Sequence, residues 1–392
     1  MSEAVIIAAA RTAIGTARKG TLRDVSAFDL GRWAVAEAHR RSGIPAEEVD
    51  DLVLGESLQG GGDIARHSAV ELGFSSVPGV AMNRHCASGL TAVQTAAASI
   101  RAGMDKVVIA GGTESLSTMP MLTKRLPGQN DAQMWMPPSH PATGEAPPFD
   151  MSITVGWNTA RLADVSREAM DQWAYHSHQR AAAASSEGRF RDEIFPIEIP
   201  DGEGGMRAFE VDEHPRPGTT VEKLAGLKPL HPEIEGFSIT AGNSSGINDG
   251  AAALVLAEGG YARAHGLEAL ASVRAWASVG VDPVRTGLAP TLAIPKALER
   301  AGLSIADVDL FEINEAFCSM AVASSRILGI DHEKMNVSGS GCGLGHPIAC
   351  TGARMVVTMV HELRRRGGGI GVVGMCAGGG MGSAAVLEVH PG

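Results

Sequence analysis

Rings are scarce in this chain: 5 Trp, 2 Tyr and 9 Phe among 392 residues, or 4%. A core must therefore be built from Val, Ile, Leu, Met and Ala, packed so closely that backbone meets backbone. Glycine permits that approach, and its 49 positions are well above the usual share of about 7%. Basic residues are the minority, 33 against 44 acidic for a formal charge of −11. Such a balance gives no footprint for nucleic acid or an anionic membrane, while leaving room for a local basic pocket around one phosphorylated ligand. No apolar run reaches the roughly 18 residues of a membrane span. The Ala4 to Ala10 stretch meets Arg11 and Gly15 with no small-residue cleavage site. A soluble, unexported, cytoplasmic protein is expected. The five cysteines (Cys86, Cys318, Cys342, Cys350, Cys376) form no CxxC pair, which argues against a disulfide framework and a zinc ribbon. They are expected to be reduced thiols. At 44% hydrophobic, the chain is not disordered.

What is present is a repeat. Residues Ala34 to Glu56 align without gaps with Ala293 to Glu315 at an offset of 259, with Ala34, Ala38, Arg41, Gly43, Val49, Asp50 and Glu56 meeting identical residues. Each copy reads as an amphipathic helix ended by Gly, an acidic turn and a short apolar strand. Further on, Met82-Asn83 precedes an Ala-rich helix (Ala87 to Ala102) and a strand (Val107 to Ala110), as Met335-Asn336 precedes a helix (Pro347 to Arg366) and a strand (Ile370 to Met375). Alternating strands and helices imply parallel β-α units, here in two similar α/β halves. Between the halves, Met119 to Phe149 is rich in proline and reads as a surface excursion. Helical signal returns at Arg161 to Glu187, and polar, Gly-rich sequence from Asp201 to Gly236 leads to a buried strand at Ala252 to Leu256. The expected organisation is a first half of residues 1–118 plus 241–265, an inserted loop domain of 119–240, and a second half of 266–392.

Three motif matches do not fit their context. Gly369 to Gly374 matches GxGxxG, but a helix precedes the glycines and a strand runs through them, the reverse of a dinucleotide site. Gly242 to Gly246 matches GxSxG, yet an Asn248-Asp249-Gly250 turn and a strand follow where a nucleophile elbow needs a helix. Cys342, His346 and Cys350 are spaced for one helical face, but Gly343, Gly345 and Pro347 oppose that helix, so no metal site is expected.

Four segments place reactive side chains at strand-to-helix junctions, where α/β folds bind ligands. Cys86 in NRHCASG stands at the start of a helix, whose positive end favours the thiolate; on its own, such a cysteine is more often a packed structural thiol. His346 in GLGHP precedes a proline at an expected helix start, where a neutral imidazole can accept a proton, though a solvated loop histidine reads the same. Cys376 leaves a strand into Gly378, Gly379, Gly380 and Gly382, whose bare amides suit a small acyl group. Asn314 in NEAF ends a strand and either orients a water or carbonyl or caps the next helix. Together these point to nucleophilic acyl transfer through a thioester.

At these residues the chain resembles the thiolase family, acyl-CoA:acetyl-CoA C-acyltransferases, along essentially its whole length. NRHCASG, the NEAF box, the GHP box and CAGGGMG carry the resemblance, with TAGNSSGINDGAAA from Thr240 and WASVGVDP from Trp276. It implies a thiolase-like α/β fold of two repeated βαβαβαββ halves, layered α-β-α-β-α, with a loop domain inserted in the first. It implies that His346 deprotonates Cys86, that the Cys86 thiolate becomes acylated, and that Cys376 is the second acid/base. One oxyanion site would use the amides of Cys86 and Gly378, the other His346 and a water held by Asn314. Ser245, Met151 and Lys228 would contact substrate, with Arg216 and Lys223 in the region of the CoA phosphates. Coenzyme A and acyl-CoA are implied as substrates, with no permanently bound cofactor, and a homodimer or homotetramer working in fatty acid metabolism such as β-oxidation. The chain departs from the family at Gly339 to Gly345, where Cys342 adds a thiol beneath His346, and at Asp150-Met151-Ser152, where acetoacetyl-CoA thiolases carry a histidine. The alternatives are a thiolase-like Claisen condensing enzyme or acyltransferase without thiolysis, and a catalytically idle acyl-CoA-binding subunit.

Overall fold

A computed structural model describes residues 2–200 and 204–392. Asp201 to Glu203, the start of the polar lead-in expected from the sequence, lie outside the described residues. The first half runs β1 (Ala4–Arg11), α1 (Ala27–Ser42), β2 (Asp51–Gly55), α2 (Ile64–Glu71), β3 (Val80–Met82), α3 (Ser88–Ala102) and β4 (Val107–Ser115). A long insertion carrying α4 (Arg167–Ser186) follows, and the chain returns as β5 (Asn248–Glu258). The second half runs β6 (Ala271–Gly280), α5 (Pro290–Ala301), β7 (Leu310–Ile313), α6 (Cys318–Leu328), α7 (Thr351–Arg365), β8 (Gly369–Ala377) and β9 (Met381–Val389).

The strands lie in the order β7-β8-β9-β6-β1-β5-β4-β2-β3, with the two-residue strand Gly15–Thr16 pairing β5. Among the described residues, two pairs, Val5 with Ser272 and Ile6 with Ala271, join the two halves of this sheet. On either side of that seam the order is the same: β1, β5, β4, β2, β3 against β6, β9, β8, β7, where Met335 bridges to Phe311 as β3 pairs β2. Helices α3 and α7 pack between the sheets in a shared core containing Ile6, Leu90, Val93, Leu254, Val356 and Leu387. Helices α1 and α2 cover the outer face of the first sheet, and α5 and α6 that of the second. The layers are therefore α-β-α-β-α. Along β1, Ala4 and Ile6 face the shared core while Val5 and Ile7 face the outer one, so a continuous apolar run serves both.

The identities of the repeat are matching bonds. Gly43 and Gly302 end α1 and α5 in the left-handed region, with φ of 67° and 71°. Arg41 Nη1 donates to Ala9 O of β1 at 3.1 Å, and Arg300 Nη1 to Trp276 O of β6 at 2.7 Å. Asp50 Oδ2 accepts from Val107 N at 2.9 Å, and Asp309 Oδ2 from Ile370 N at 2.7 Å, each starting the neighbouring parallel strand.

Two expectations are corrected. Parallel pairing holds for β2, β3 and β4 and for β7 with β8, but β1, β5, β6 and β9 pair antiparallel with their neighbours. The turn Gly378 to Gly380 between β8 and β9 is too short for a parallel crossover. The helical signal over Arg161 to Glu187 is broken: a short helix (Asn158–Leu162) ends before Asp164, at φ 48°, and α4 starts afresh on the Ser166 cap. In the proline-rich excursion, Thr123–Arg125 and Ala132–Met134 form an exposed hairpin. The insertion is tied to β1 by the fully buried Arg11, which pairs with Glu193 at 2.6 Å and Asp212 at 2.8 Å. Among the described residues, no helix is long and apolar enough to cross a membrane.

Candidate active site

The reactive residues expected from the sequence lie beyond the carboxyl ends of the parallel strands. Cys86 follows β3, Asn314 follows β7, and Cys376 sits near the end of β8, with Gly378 in the turn beyond it. His346 lies on the loop into α7, the counterpart in the second half of the Cys86 loop into α3. The two loops are stitched together where Gly89 N donates to Ala349 O at 2.9 Å.

Cys86 is held in a tight bend. His85, before it, has φ 48°; Asn83 Oδ1 accepts from His85 N at 2.8 Å, and Ser88 Oγ accepts from Arg84 N at 2.8 Å while donating to His85 O at 2.7 Å. The Gly378 amide, in a turn that lies against His85, favours the charged form of the Cys86 sulfur. The expectation that the helix start would favour the thiolate is corrected here: α3 begins at Ser88, two residues on, and burial pushes the thiol up to about 11. The amides of Gly378 and Cys86 act in the opposite direction, and the Glu114 charge adds to burial. At rest Cys86 is a thiol.

His346 is buried, and burial followed by the Arg354 charge lowers it to about 3, so it is a neutral imidazole. The helix expected from Pro347 starts instead at Thr351, because Pro347 to Cys350 form a turn in which Cys350 N and Thr351 N both bond Pro347 O at 3.0 Å. His346 is therefore kept neutral by burial, not by a helix terminus. Its Nδ1 lies 2.6 Å from Thr351 Oγ1, whose own proton goes to Pro347 O at 2.9 Å. Thr351 is then the acceptor, which places the imidazole proton on Nδ1 and leaves Nε2 bare to act as a base. Asn314 Nδ2 donates to that Nε2 at 3.4 Å, while Asn314 Oδ1 is buried with no hydrogen-bond partner among the described residues.

Cys376 is buried, with its Sγ 3.7 Å from Met320 Sδ. Burial raises its thiol well above the ordinary range, and the charge of Cys86 raises it further, so the two thiols feel each other. Ser245 is half-buried beside the Asn314 segment, its N bonded to Ala316 O at 2.9 Å. Met151 packs on the outer core that includes Phe317 and Cys376. Lys228 is exposed, and no bond ties it to the thiols. Arg216 N meets His178 Nδ1 at 3.3 Å, and Lys223 Nζ donates to Gly218 O at 2.6 Å. Cys342, beneath His346, points its thiol at Gly242 O at 3.6 Å and lies against the Cys318 thiol. Among the described residues no group of three or more His, Cys, Asp or Glu is arranged to hold a metal.

Sequence reasoning missed four residues that build this site. Asn248-Asp249-Gly250 opens β5 and is not a turn. Asn248 Oδ1 accepts from His346 N at 3.0 Å while its Nδ2 donates to Gly15 O at 3.0 Å. Thr351 orients the imidazole. Glu315, next to Asn314, accepts from Trp173, Ser177, Asn336 and Cys342 N, fixing the second half against α4. Glu114 accepts from Ala349 N at 3.0 Å. The available signal for Glu114 was a lone acid closing the apolar run VVIAGGTES.

The chain matches the family models described as Thiolase, N-terminal domain, over residues 4–260, and Thiolase, C-terminal domain, over residues 267–389. It is 41% identical to a 3-ketoacyl-CoA thiolase of Bacillus subtilis over 99% of this chain and 100% of that one. It is 40% identical to an acetyl-CoA acetyltransferase of Pseudomonas aeruginosa over 99% of both. Among solved structures it superposes on the Bacillus anthracis acetyl-CoA acetyltransferase with a TM-score of 0.90 at 39% identity, covering 99% of each chain. On human mitochondrial 3-ketoacyl-CoA thiolase the TM-score is 0.89 at 34% identity, with the same coverage. The chain belongs to the thiolase family.

Proposed function

We propose that the chain is an acyl-CoA C-acyltransferase that cleaves 3-oxoacyl-CoA with CoA, or condenses acetyl-CoA with an acyl-CoA, through an acyl thioester on Cys86. The observation that carries this reading is that Gly378, on the turn that follows Cys376, lies against His85 next to Cys86, where its amide favours a charged sulfur. A nucleophile, a second thiol and a backbone donor thereby share one small space. In thiolysis, Nε2 of His346 takes the Cys86 proton as sulfur attacks the keto carbon. The developing oxyanion is met by the amides of Cys86 and Gly378. The carbon–carbon bond then breaks, and the departing acetyl-CoA carbanion takes the Cys376 proton. The oxygen of the other thioester, on the departing acetyl-CoA carbanion, is met by His346 Nε2–H and a water bonded to Asn314, whose buried Oδ1 has no partner among the described residues. CoA attacks the acyl thioester and yields its thiol proton to Cys376, restoring that group, while the bond between the acyl carbon and Cys86 breaks and the Cys86 sulfur takes back the proton held by His346.

The two thiols act in sequence. Acylation turns Cys86 into a thioester that cannot ionise, so no thiolate beside Cys376 opposes its loss of a proton while the acyl group is loaded. Ser245 and Met151 flank the acyl-pantetheine path, and Lys228 serves the CoA phosphates. CoA and acyl-CoA are substrates, and no resident cofactor or metal is used. The enzyme works as a cytoplasmic homodimer or homotetramer in fatty acid degradation such as β-oxidation. The test is thiolysis of a panel of 3-oxoacyl-CoA esters with CoA, run on the wild type and on Cys376→Ser. The wild type should release acetyl-CoA; the variant should lose carbon–carbon chemistry while acylation of Cys86 by acetyl-CoA is slowed far less, because a thiolate leaves without a proton more readily than a carbanion does. Equal loss of both in a folded variant would make Cys376 structural.

A further inference from the structure

Glu114 is fully buried near the end of β4, and among the described residues it makes no ion pair. Its carboxylate has N–H partners instead. Oε1 accepts from Leu58 N at 3.0 Å and from the Gln59 side-chain amide, and Oε2 accepts from Ala349 N at 3.0 Å. The other side of the Ala349 residue is also held, its carbonyl accepting from Gly89 N at 2.9 Å. Ala349 lies three residues after His346, and Gly89 three residues after Cys86. A Cβ at Gly112 would collide with Ala349 O, and one at Gly89 would stand 2.6 Å from it. The His346 turn is thus seated in a slot between β4 and α3, gripped from both sides.

Among the described residues no cation pairs with Glu114. The Glu56 charge, from the loop after β2, acts on it, and its own charge acts on Cys86 and on Cys350 of the His346 turn. Gly250 is the residue across from it on β5, and the neighbouring Asp249, opposite Ser115, is occupied by Ser117 N and Oγ. We propose that Glu114 is a positioning residue: its carboxylate holds the His346 turn against the Cys86 helix and so fixes an acidic group between the two reactive loops. This rests on the reading of Cys86 as the nucleophile. Burial, only partly offset by its donors, lifts Glu114 to about 7. Its charge therefore changes near neutral pH, while His346, at about 3, stays neutral.

The experiment is alkylation of Cys86 by iodoacetamide from pH 5.5 to 10.5, followed on the Cys86 peptide by mass spectrometry. In the wild type, the rate should climb less than tenfold per pH unit around pH 7, because each Glu114 proton lost makes the thiol harder to ionise. Glu114→Gln should lose that shoulder, and its profile should move to lower pH by on the order of one unit. Its thiolysis kcat should fall about tenfold or more, with KM little changed, since misplacing His346 penalises the chemical step. A Glu114→Gln profile superimposed on the wild type, in folded protein, would overturn the proposal. Should Glu114→Gln not fold, a wild-type profile following one simple titration would overturn it equally. Absent thiolysis in the wild type, with the shoulder present, would count against the functional reading and not against Glu114.

Discussion

Cys86 rests as a thiol and His346 as a neutral imidazole because burial opposes charge on both, to about 11 and about 3 respectively. The site therefore stores no thiolate. It supplies a base whose lone pair is aimed by Thr351, and amides ready for charge that develops only on attack. The tautomer is the vulnerable part. Thr351→Val keeps the shape but leaves the buried Nδ1–H without an acceptor, a cost of about 1–3 kcal/mol. We predict a loss of kcat/KM for thiolysis on the order of tenfold to a hundredfold, with the fold retained and Tm lower by a few degrees; unaltered kcat/KM would mean the tautomer is fixed by something else. At this scale the sequence was legible in its reactive residues, since Cys86, His346, Cys376 and Asn314 sit in short motifs. The resting state of Cys86 was not legible. Its position near a helix start is local information, whereas its desolvation depends on Gly378, 292 positions away in the chain, and on the layers above it.

Among the elements, the His346 turn is the one with least regular structure of its own, and it is held from four sides. Asn248 of β5 bonds His346 N, Thr351 of α7 bonds the ring, Glu114 of β4 bonds Ala349 N, and Gly89 of α3 bonds Ala349 O. Gly112 matters because β4 passes directly beneath that carbonyl. Gly112→Ala must displace either the strand or the turn, and the strand is locked in register between β5 and β2. We predict that the turn moves, with thiolysis falling about a hundredfold while far-ultraviolet circular dichroism stays native. Full activity in Gly112→Ala would contradict the seating described. Helices and their Gly caps were readable from periodicity and punctuation, as α1 and α5 show. Strand direction was not: an apolar run such as Asn248 to Glu258 looks the same whether it pairs parallel or antiparallel. The Asn248-Asp249-Gly250 triplet looked like a turn because its side chains find their partners, Gly15, Ser117 and His346, only in the folded molecule.

Across the whole molecule, two similar halves share one core of α3 and α7, so each reactive loop is braced by the other half's helix. The offset of 259 makes this duplication visible in the sequence itself, and Arg41 and Arg300, or Asp50 and Asp309, keep the same bonds in both copies. The insertion was legible only as an interruption. Its attachment through Arg11, Glu193 and Asp212 joins residues about 200 apart in sequence and leaves no local trace. Because all three groups are buried, removing the cation strands two carboxylates. Arg11→Met should cost about 3–5 kcal/mol in unfolding by denaturant; a change below about 1 kcal/mol would mean the insertion is anchored elsewhere.

The central claim is that Cys86 carries the acyl group, and acylation of the intact protein by acetyl-CoA tests it most directly. After incubation, digestion and mass spectrometry, the peptide containing Cys86 should bear one acetyl group, which free CoA should remove, and Cys376 should remain unmodified. Folded protein that gains no such adduct, or gains it on another cysteine, would contradict the account.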